Sequence, residues 1–256
     1  MDVLVCVKRV PATGASIPLT EDGADVDTRH LGFTIGPHEE CAVEEAVRVV
    51  EQFGGSATVL TVGPPDSDEQ LRYALSMGAD HAVLVETGPQ EIDPQATASA
   101  ITHAIRLIES EGSRFDLIMF GNESADAGNY QVGIRVACAL GLPIVGGVKG
   151  IDVEPEARRA LMRRETSEGI EVYEVPLPTA VAVREGLNLP RYPSIKGRLR
   201  AKKTQVRTIR PDLVAGGLRK VRLRTPPDRT RETVVLGHGP EAAPRVVDVL
   251  AELGVV

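Results

Sequence analysis

Four short apolar runs, Asp2 to Val7, Ala57 to Val62, Ala82 to Val85 and Phe115 to Phe120, are each followed later by a stretch with helical spacing. This alternation constrains the fold more than any other feature of the chain. Pro37 to Phe53 places Cys41, Val43, Ala46, Val47 and Val50 on one face, carries acids in its first turn and ends at Gly54-Gly55. A second helix begins near Asp66, with Ser67 and Gln70 in capping-box spacing, and closes at Gly78. Residues 94 to 111 repeat the pattern through Ile101, Ala104, Ile105 and Ile108, and Gln131 to Leu140 reads as a small-residue helix. The order β-α-β-α-β-α-β-α forces parallel strands joined by right-handed crossovers. The predicted fold is therefore α/β: a doubly wound, mostly parallel sheet with helices on both faces and a ligand crevice at its switch point. With aromatics at 3% and no Trp, the core has to be built from Val, Leu, Ile and Ala, as buried parallel strands usually are.

Between these elements the reading is coarser. Residues 13 to 35, with Gly14, Gly23 and Gly32, read as turns with a small hairpin. After Pro143 the rhythm changes. Ile151 to Glu154, Ala160 to Glu165, Ile170 to Glu174 and Thr179 to Arg184 are short pieces separated by turn residues, which predicts an antiparallel addition turning near Ser167-Glu168-Gly169. Residues 184 to 210 hold nine Lys or Arg against the single acid Glu185 and also present Leu187, Leu189, Tyr192, Ile195 and Leu199. Such a segment suits either a contact surface or a solvated charged loop and strand. Residues 211 to 239, with Pro211, Gly216-Gly217 and Pro226-Pro227, read as extended, and Glu241 to Leu253 as a final short helix. The expected division is a domain over 1–210 and a C-terminal arm over 211–256 that lies on a partner.

The richest functional signal is the stretch after Phe120, Gly121-Asn-Glu-Ser-Ala-Asp-Ala-Gly-Asn-Tyr-Gln-Val-Gly133. A strand, a glycine-spaced loop and a helix start bring unpaired N–H groups to the carboxyl edge of a parallel sheet, where they can bind a phosphate. The same spacing also suits an ordinary strand-to-helix connection. Lys8 and Arg9, at the end of the first strand, face either an anion or solvent, and Gly36-Pro37-His38-Glu39 is either a second N–H donor site or an opening turn. Hardware for other chemistries is missing: there is no G-x-x-x-x-G-K-[ST], H-E-x-x-H or G-x-S-x-G. Gly237-His-Gly239-Pro-Glu-Ala242 matches G-x-G-x-x-A, but too little chain follows to complete a β-α-β unit. Arg164-Glu165 and the pair Glu123 with Asp126 form no independent catalytic constellation. Cys6, Cys41 and Cys138 are isolated, so no metal site is expected. A net charge of −7 argues against nucleic acid as a partner. The chain opens directly on a strand and has no apolar stretch of transmembrane length, so the expected location is the cytoplasm, without membrane insertion.

Several pieces taken together resemble the beta (small) subunit of electron transfer flavoprotein. They are Val3-Leu-Val-Cys-Val-Lys-Arg9, Ala42-Val-Glu-Glu-Ala46, Val62-Gly-Pro64, Ala74-Leu-Ser-Met-Gly-Ala-Asp80, the Gly121 to Gly133 loop, Arg164-Glu165, Leu187-Asn-Leu-Pro-Arg-Tyr192 and Ala201-Lys-Lys203. The resemblance implies an adenine nucleotide alpha hydrolase-like fold in a heterodimer with an alpha subunit that holds most of the redox FAD, while this chain binds AMP and carries no catalytic residue. It implies AMP contacts at Cys6, at Gly36, Pro37, His38 and Glu39, at Val62, and along Gly121, Asn122, Glu123, Ser124, Ala125, Asp126, Ala127, Gly128, Asn129, Tyr130, Gln131 and Val132. Glu165 would lie near the flavin. Residues 191–200 would be the recognition loop, with Tyr192, the apolar anchor Ile195, and Arg198 and Arg200 steering encounter. Electrons would pass from acyl-CoA or other dehydrogenases, as in fatty acid beta-oxidation, to a quinone oxidoreductase or other acceptor. The family usually has Asn in place of Gly36, an acid or Gly-Asp in place of Ala127-Gly128, and Pro where this chain has Lys196-Gly197. Two other readings stay open: a bifurcating member that binds a second FAD in place of AMP and takes part in NADH oxidation, and a stand-alone nucleotide-binding regulatory module.

Overall fold

The structure, a computed structural model, describes residues 1–12, 17–214, 216–226 and 233–256. Gly14, expected in a turn, and Pro227, expected in the extended tail, lie outside the described residues. Strand β1 (Asp2–Val7) sits in the middle of the main sheet because both of its faces are apolar. Val3, Val5 and Val7 enter one core layer, and Leu4 and Cys6 the other. A small antiparallel ribbon of β2 (Val10–Pro11) and β3 (Phe33–Thr34) precedes α1 (Pro37–Phe53), which returns the chain to β4 (Ser56–Gly63). A 3-10 turn (Pro65–Ser67) and α2 (Asp68–Met77) lead to β5 (His81–Glu86). Helix α3 (Pro94–Ser110) leads to β6 (Leu117–Gly121), and α4 (Val132–Leu140) to β7 (Ile144–Glu154). Then follow β8 (Arg159–Thr166), β9 (Gly169–Pro176), β10 (Thr179–Val183), α5 (Ile195–Lys203), β11 (Val206–Ile209) and α6 (Ala243–Glu252).

The strand order is β11-β5-β4-β1-β6-β10-β7-β8-β9, parallel from β11 through β7 and antiparallel only at β7–β8 and β8–β9. Helices α1 and α2 cover one face, α3 and α4 the other. The chain lays β4 and β5 on one side of β1, then crosses to place β6 on the other, so the switch point falls between β1 and β6. The local chemistry agrees with the element boundaries. Asp93 caps α3 by accepting from the Ala96 N–H at 2.7 Å, with Pro94 in the first helical turn. Gly78 ends α2 at φ 142°, where an added Cβ would lie 2.7 Å from Val47 Cγ1, so glycine is needed for α2 to pass α1.

The doubly wound sheet and its antiparallel extension are as the sequence predicts; four details differ. The run at 179–183 is not an antiparallel addition: β10 inserts in parallel between β6 and β7, with all five residues buried. The strand expected at 151–154 begins earlier, at Ile144, and its first part completes the parallel sheet. Ser67 and Gln70 form no capping box. Ser67 makes no side-chain cap, and its Oγ and Gln70 Oε1 are buried without partners. Within the basic segment, residues 195–203 are a helix and 206–209 a parallel edge strand on β5.

The link from β10 to α5 is fastened to α1 by polar contacts. Asn188 Nδ2 donates to the Cys41 carbonyl at 3.0 Å and to Glu45 Oε2 at 2.9 Å. Arg191 reaches Glu44 at 2.8 Å and Glu51 at 2.6 Å, and these hydrogen bonds, with Glu51 foremost, hold its guanidinium well above the usual range. Glu44 is buried. Two of the sequence pieces that carry the resemblance, 42–46 and 187–192, are thus in direct contact. Arg191→Ala leaves Glu44 buried without its counter-charge, and the expected loss is about 1–3 kcal/mol, less than for a fully buried pair because Arg191 keeps contact with water. Urea denaturation of variant and parent measures this, and an unchanged midpoint would refute the clamp.

Candidate functional site

At the carboxyl edge beside the switch point, the start of α1 and the loop after β6 enclose a cleft of about 320 Å³ lined by Pro37, His38, Glu123, Ser124, Ala125, Asp126, Ala127 and Gly128. The two approaches to it are built without bulk. A Cβ on Gly121 would lie 2.9 Å from Glu39 Cγ, and one on Gly36 would lie 2.3 Å from Glu39 Oε2. Gly128 takes φ 55°, and Tyr130 takes a left-handed φ of 55° that costs a non-glycine residue strain. Helix α4 starts directly after this loop, with no side-chain cap on its N–H groups and no acid in its first turn.

Hydrogen bonds fix the groups around the cleft. His38 Nδ1 accepts from the Glu185 N–H at 2.7 Å, so the neutral ring carries its hydrogen on Nε2, which lies 3.4 Å from Glu123 Oε1. Lys8 Nζ donates to Asp126 at 2.7 Å and Glu91 at 3.0 Å. Burial pulls the Lys8 ammonium down, but the hydrogen bonds and charges of these two acids outweigh it and hold it above its ordinary value. Burial likewise pushes Asp126 up, and Lys8 foremost, with Ser124 and the Ala127 N–H, brings it below its ordinary value. Arg9 does not face the cleft as a free cation: its guanidinium carbon lies 3.2 Å from the Phe33 ring centroid and its Nε is buried without a partner. Asn122 Oδ1 accepts from the Gly147 N–H at 2.7 Å, which ties the loop to β7.

Glu39 is the unusual group. It is 4% exposed, its Oε2 has no hydrogen-bond partner, and burial pushes its carboxyl up to about 7 against the pull of backbone N–H groups at Glu39, Gly36 and Lys8. An unpartnered buried acceptor beside a cleft is costly unless a donor from outside completes it.

The structure brings residues 37–38 and 123–128 of the expected site together around one cleft. Cys6 and Val62 stand at the ends of β1 and β4, outside the cleft lining, and burial pushes the Cys6 thiol up, so it is an inert wall residue. Asn129 is exposed, Val132 begins α4, and Gln131 Oε1 accepts from Arg135 at 3.2 Å. Glu165 pairs with Lys149 at 2.7 Å on β8. Sequence reasoning missed the contacts of Glu91 and Glu185, which come from separate connections, after β5 and after β10, and carry no shared spacing.

Residues 191–200, expected from the resemblance to be a recognition loop, lead into the start of α5, which is held rather than free. Ser194 caps α5 by accepting from the Gly197 N–H at 3.0 Å, and Gly197 lets the helix lie against α2, since a Cβ there would be 2.4 Å from the Ser76 carbonyl. Tyr192 is 96% and Ile195 81% exposed. Arg200 donates to the carbonyls of Leu75 at 3.0 Å and Ala79 at 3.1 Å, so its charge neutralises the end of α2, whereas Arg198 is exposed.

Fold and cleft together define a doubly wound α/β protein with a glycine-lined cleft at the carboxyl edge of its central strands. Within that class the chain belongs to the electron transfer flavoprotein family: the family model described as "Electron transfer flavoprotein domain" matches residues 25–214. It is similar to electron transfer flavoprotein subunit beta of Thermoanaerobacterium thermosaccharolyticum, 33% identical over 214 residues that cover 83% of this chain and 79% of the relative. The beta subunit of Mycobacterium leprae is 37% identical over 211 residues, 80% of this chain and 77% of the relative. That of Megasphaera elsdenii is 30% identical over 236 residues, 91% and 86%. Among the described residues no helix is long and apolar enough to cross a membrane, and no group of three or more His, Cys, Asp or Glu could hold a metal ion.

Glu39 gives a pH-dependent test of the site's electrostatics. Unfolded, it ionises near 4.5; folded, near 7, so the native state binds the extra proton between these values. Stability from this group is therefore present at acid pH and is lost as pH rises through that window. Glu39→Gln should stabilise the protein by about 2–3 kcal/mol at pH 8 and by little at pH 5. Equal changes in melting temperature at both pH values would contradict this.

Proposed function

We propose that the chain is the small subunit of a heterodimeric electron transfer flavoprotein, that it holds AMP in the cleft between α1 and the Gly121–Gly133 loop, and that it closes one side of an FAD site formed mainly by an alpha subunit. The observation that carries this reading is the cleft itself: residues 37–38 and 123–128, drawn from two distant stretches, line one pocket at the switch point of a chain that aligns with electron transfer flavoprotein beta subunits. The residues present fit a nucleotide in three respects. The glycine at 128 leaves room for close approach of a ligand to backbone, the uncapped start of α4 offers N–H groups to an anion, and His38 beside the loop supplies a ring nitrogen in the lining. Bound FAD would supply the one-electron and two-electron chemistry. This chain's share is to wall the site with Glu165 and its neighbours and to present the docking surface. The far part of the tail, with α6 burying none of its own residues, is the segment that packs on the alpha subunit. Dehydrogenases are the donors and a quinone oxidoreductase or similar protein the acceptor.

Extraction of the nucleotides from the purified heterodimer tests the cofactor assignment. One FAD with one AMP is expected. Two FAD would identify a bifurcating member, and nucleotide without flavin a stand-alone module. The docking assignment has its own test. A buried aliphatic anchor contributes roughly 1.5–3 kcal/mol of apolar transfer, so Ile195→Ala should weaken dehydrogenase binding about tenfold or more, through faster dissociation, with nucleotide content unchanged. Electron transfer at the parental rate under subsaturating conditions would remove Ile195 from that role.

A further inference from the structure

The cleft's charges are set against the ligand's phosphate in one respect. Its lining holds two acids, Glu123 and Asp126, and no Lys or Arg. Asp126 is compensated: Lys8 donates to it at 2.7 Å and the Ala127 N–H at 2.7 Å. Glu123 is paired with no Lys or Arg among the described residues; its Oε1 faces the His38 Nε2 at 3.4 Å. Its Oε2 also lies 3.6 Å from the position a Cβ would take on Gly128. Glu123 thus carries an uncompensated charge on the wall of the cleft, beside the glycine whose backbone an incoming anion can approach and opposite the His38 Nε2.

We propose that Glu123 is a built-in competitor for the anionic end of the nucleotide, and that it sets how strongly the cleft prefers a phosphorylated nucleoside over the bare nucleoside. The inference rests on the nucleotide reading above. A phosphate entering the cleft either takes the place of the Glu123 carboxylate opposite His38 or stays beside it and meets like-charge repulsion. Both routes lower affinity for AMP, and neither affects adenosine, which brings no charge to that point.

Isothermal titration of the full chain with AMP and with adenosine, for the parent and for Glu123→Gln, tests this. The amide keeps the shape of the side chain and removes its charge. AMP should gain about three- to tenfold in affinity relative to adenosine in Glu123→Gln, and the gain should shrink as salt is raised. Glu123→Ala, which removes the group altogether, should also favour AMP over adenosine relative to the parent. If both ligands bind but neither variant gains preference for AMP, or if both ligands weaken together, Glu123 is a structural brace and the inference falls. If neither ligand binds to any of the three proteins, the nucleotide reading falls and takes this inference with it.

Discussion

Parallel pairing of β1 on both its edges, with β4 in register from Asp2 to Val7 and with β6 from Val3 to Cys6, is the constraint on which the rest of the molecule depends. A strand paired on both edges and buried on both faces leaves its chain no exit except at its ends, so the connections after β1 and β6 emerge side by side at one edge. Helix α1 then turns to one face and α4 to the other, and the gap between their starts is the cleft. The fit at this point is close. Glu39 Cγ lies within 3 Å of where a Cβ on Gly121 would be, and its Oε2 within 3 Å of where one on Gly36 would be. A side chain at either glycine would push the first turn of α1 away from β6. The two glycines and the buried acid are one packing unit, and the acid's unpartnered oxygen is the electrostatic cost of that unit.

The parts of the fold legible in the sequence are those where burial has a period. Helix α1 is read to the residue because Cys41, Val43, Ala46 and Val47 fall on one face and glycines follow Phe53. The cleft was legible to the extent that its residues are contiguous, as 37–38 and 123–128 are. Strand β10 shows where periodicity fails. Thr179-Ala-Val-Ala-Val183 is buried at every residue, whereas β8 and β9 beside it in sequence alternate. That unbroken burial was the available sign of a central parallel strand, but strand order is a property of tertiary pairing and leaves no spacing in the chain. Helix α5 was hidden for a different reason. Its only buried residue is Ala201, so it has almost no apolar face to read. It is held instead by Arg72 and Arg200 donating to main-chain carbonyls across the contact with α2, an arrangement that requires no sequence period.

The same accounting changes the meaning of the basic segment. A run of cations read from sequence suggests one electropositive surface, but the structure commits several of them internally. Arg191 goes to Glu44 and Glu51, Arg200 to the end of α2, Arg207 to Glu111 and Arg210 to Glu86. The exposed charges left without an ion-pair partner among the described residues include Lys196, Arg198, Lys202 and Lys203, gathered on the nine-residue α5 beside Ile195 and Leu199. A short charged patch around an apolar point is more selective than a diffuse field, because orientation as well as encounter depends on it.

The tail divides by similar reasoning. Residues 218–223 lie along the chain's own surface: the Leu218 N–H donates to Asp93 at 2.7 Å, Lys220 bridges Asp25 and Glu91 at 2.9 Å each, and the Leu223 N–H donates to the Gly23 carbonyl at 2.8 Å. Since Glu91 also holds Lys8, and Lys8 holds Asp126, a line of alternating charges runs from this stretch to the cleft. Each half-exposed pair contributes at most about 1 kcal/mol, and Leu218 and Val221 remain exposed, so polar contacts rather than packing keep the stretch in place. Opening it therefore costs far less than opening the sheet it lies on. Among the described residues beyond 232 no hydrogen bond or ion pair reaches the domain: α6 buries none of its residues, and its Val246 and Val247 are exposed. An amphipathic helix gains little from forming by itself, so its apolar face is the part of the molecule whose stability depends most on what covers it.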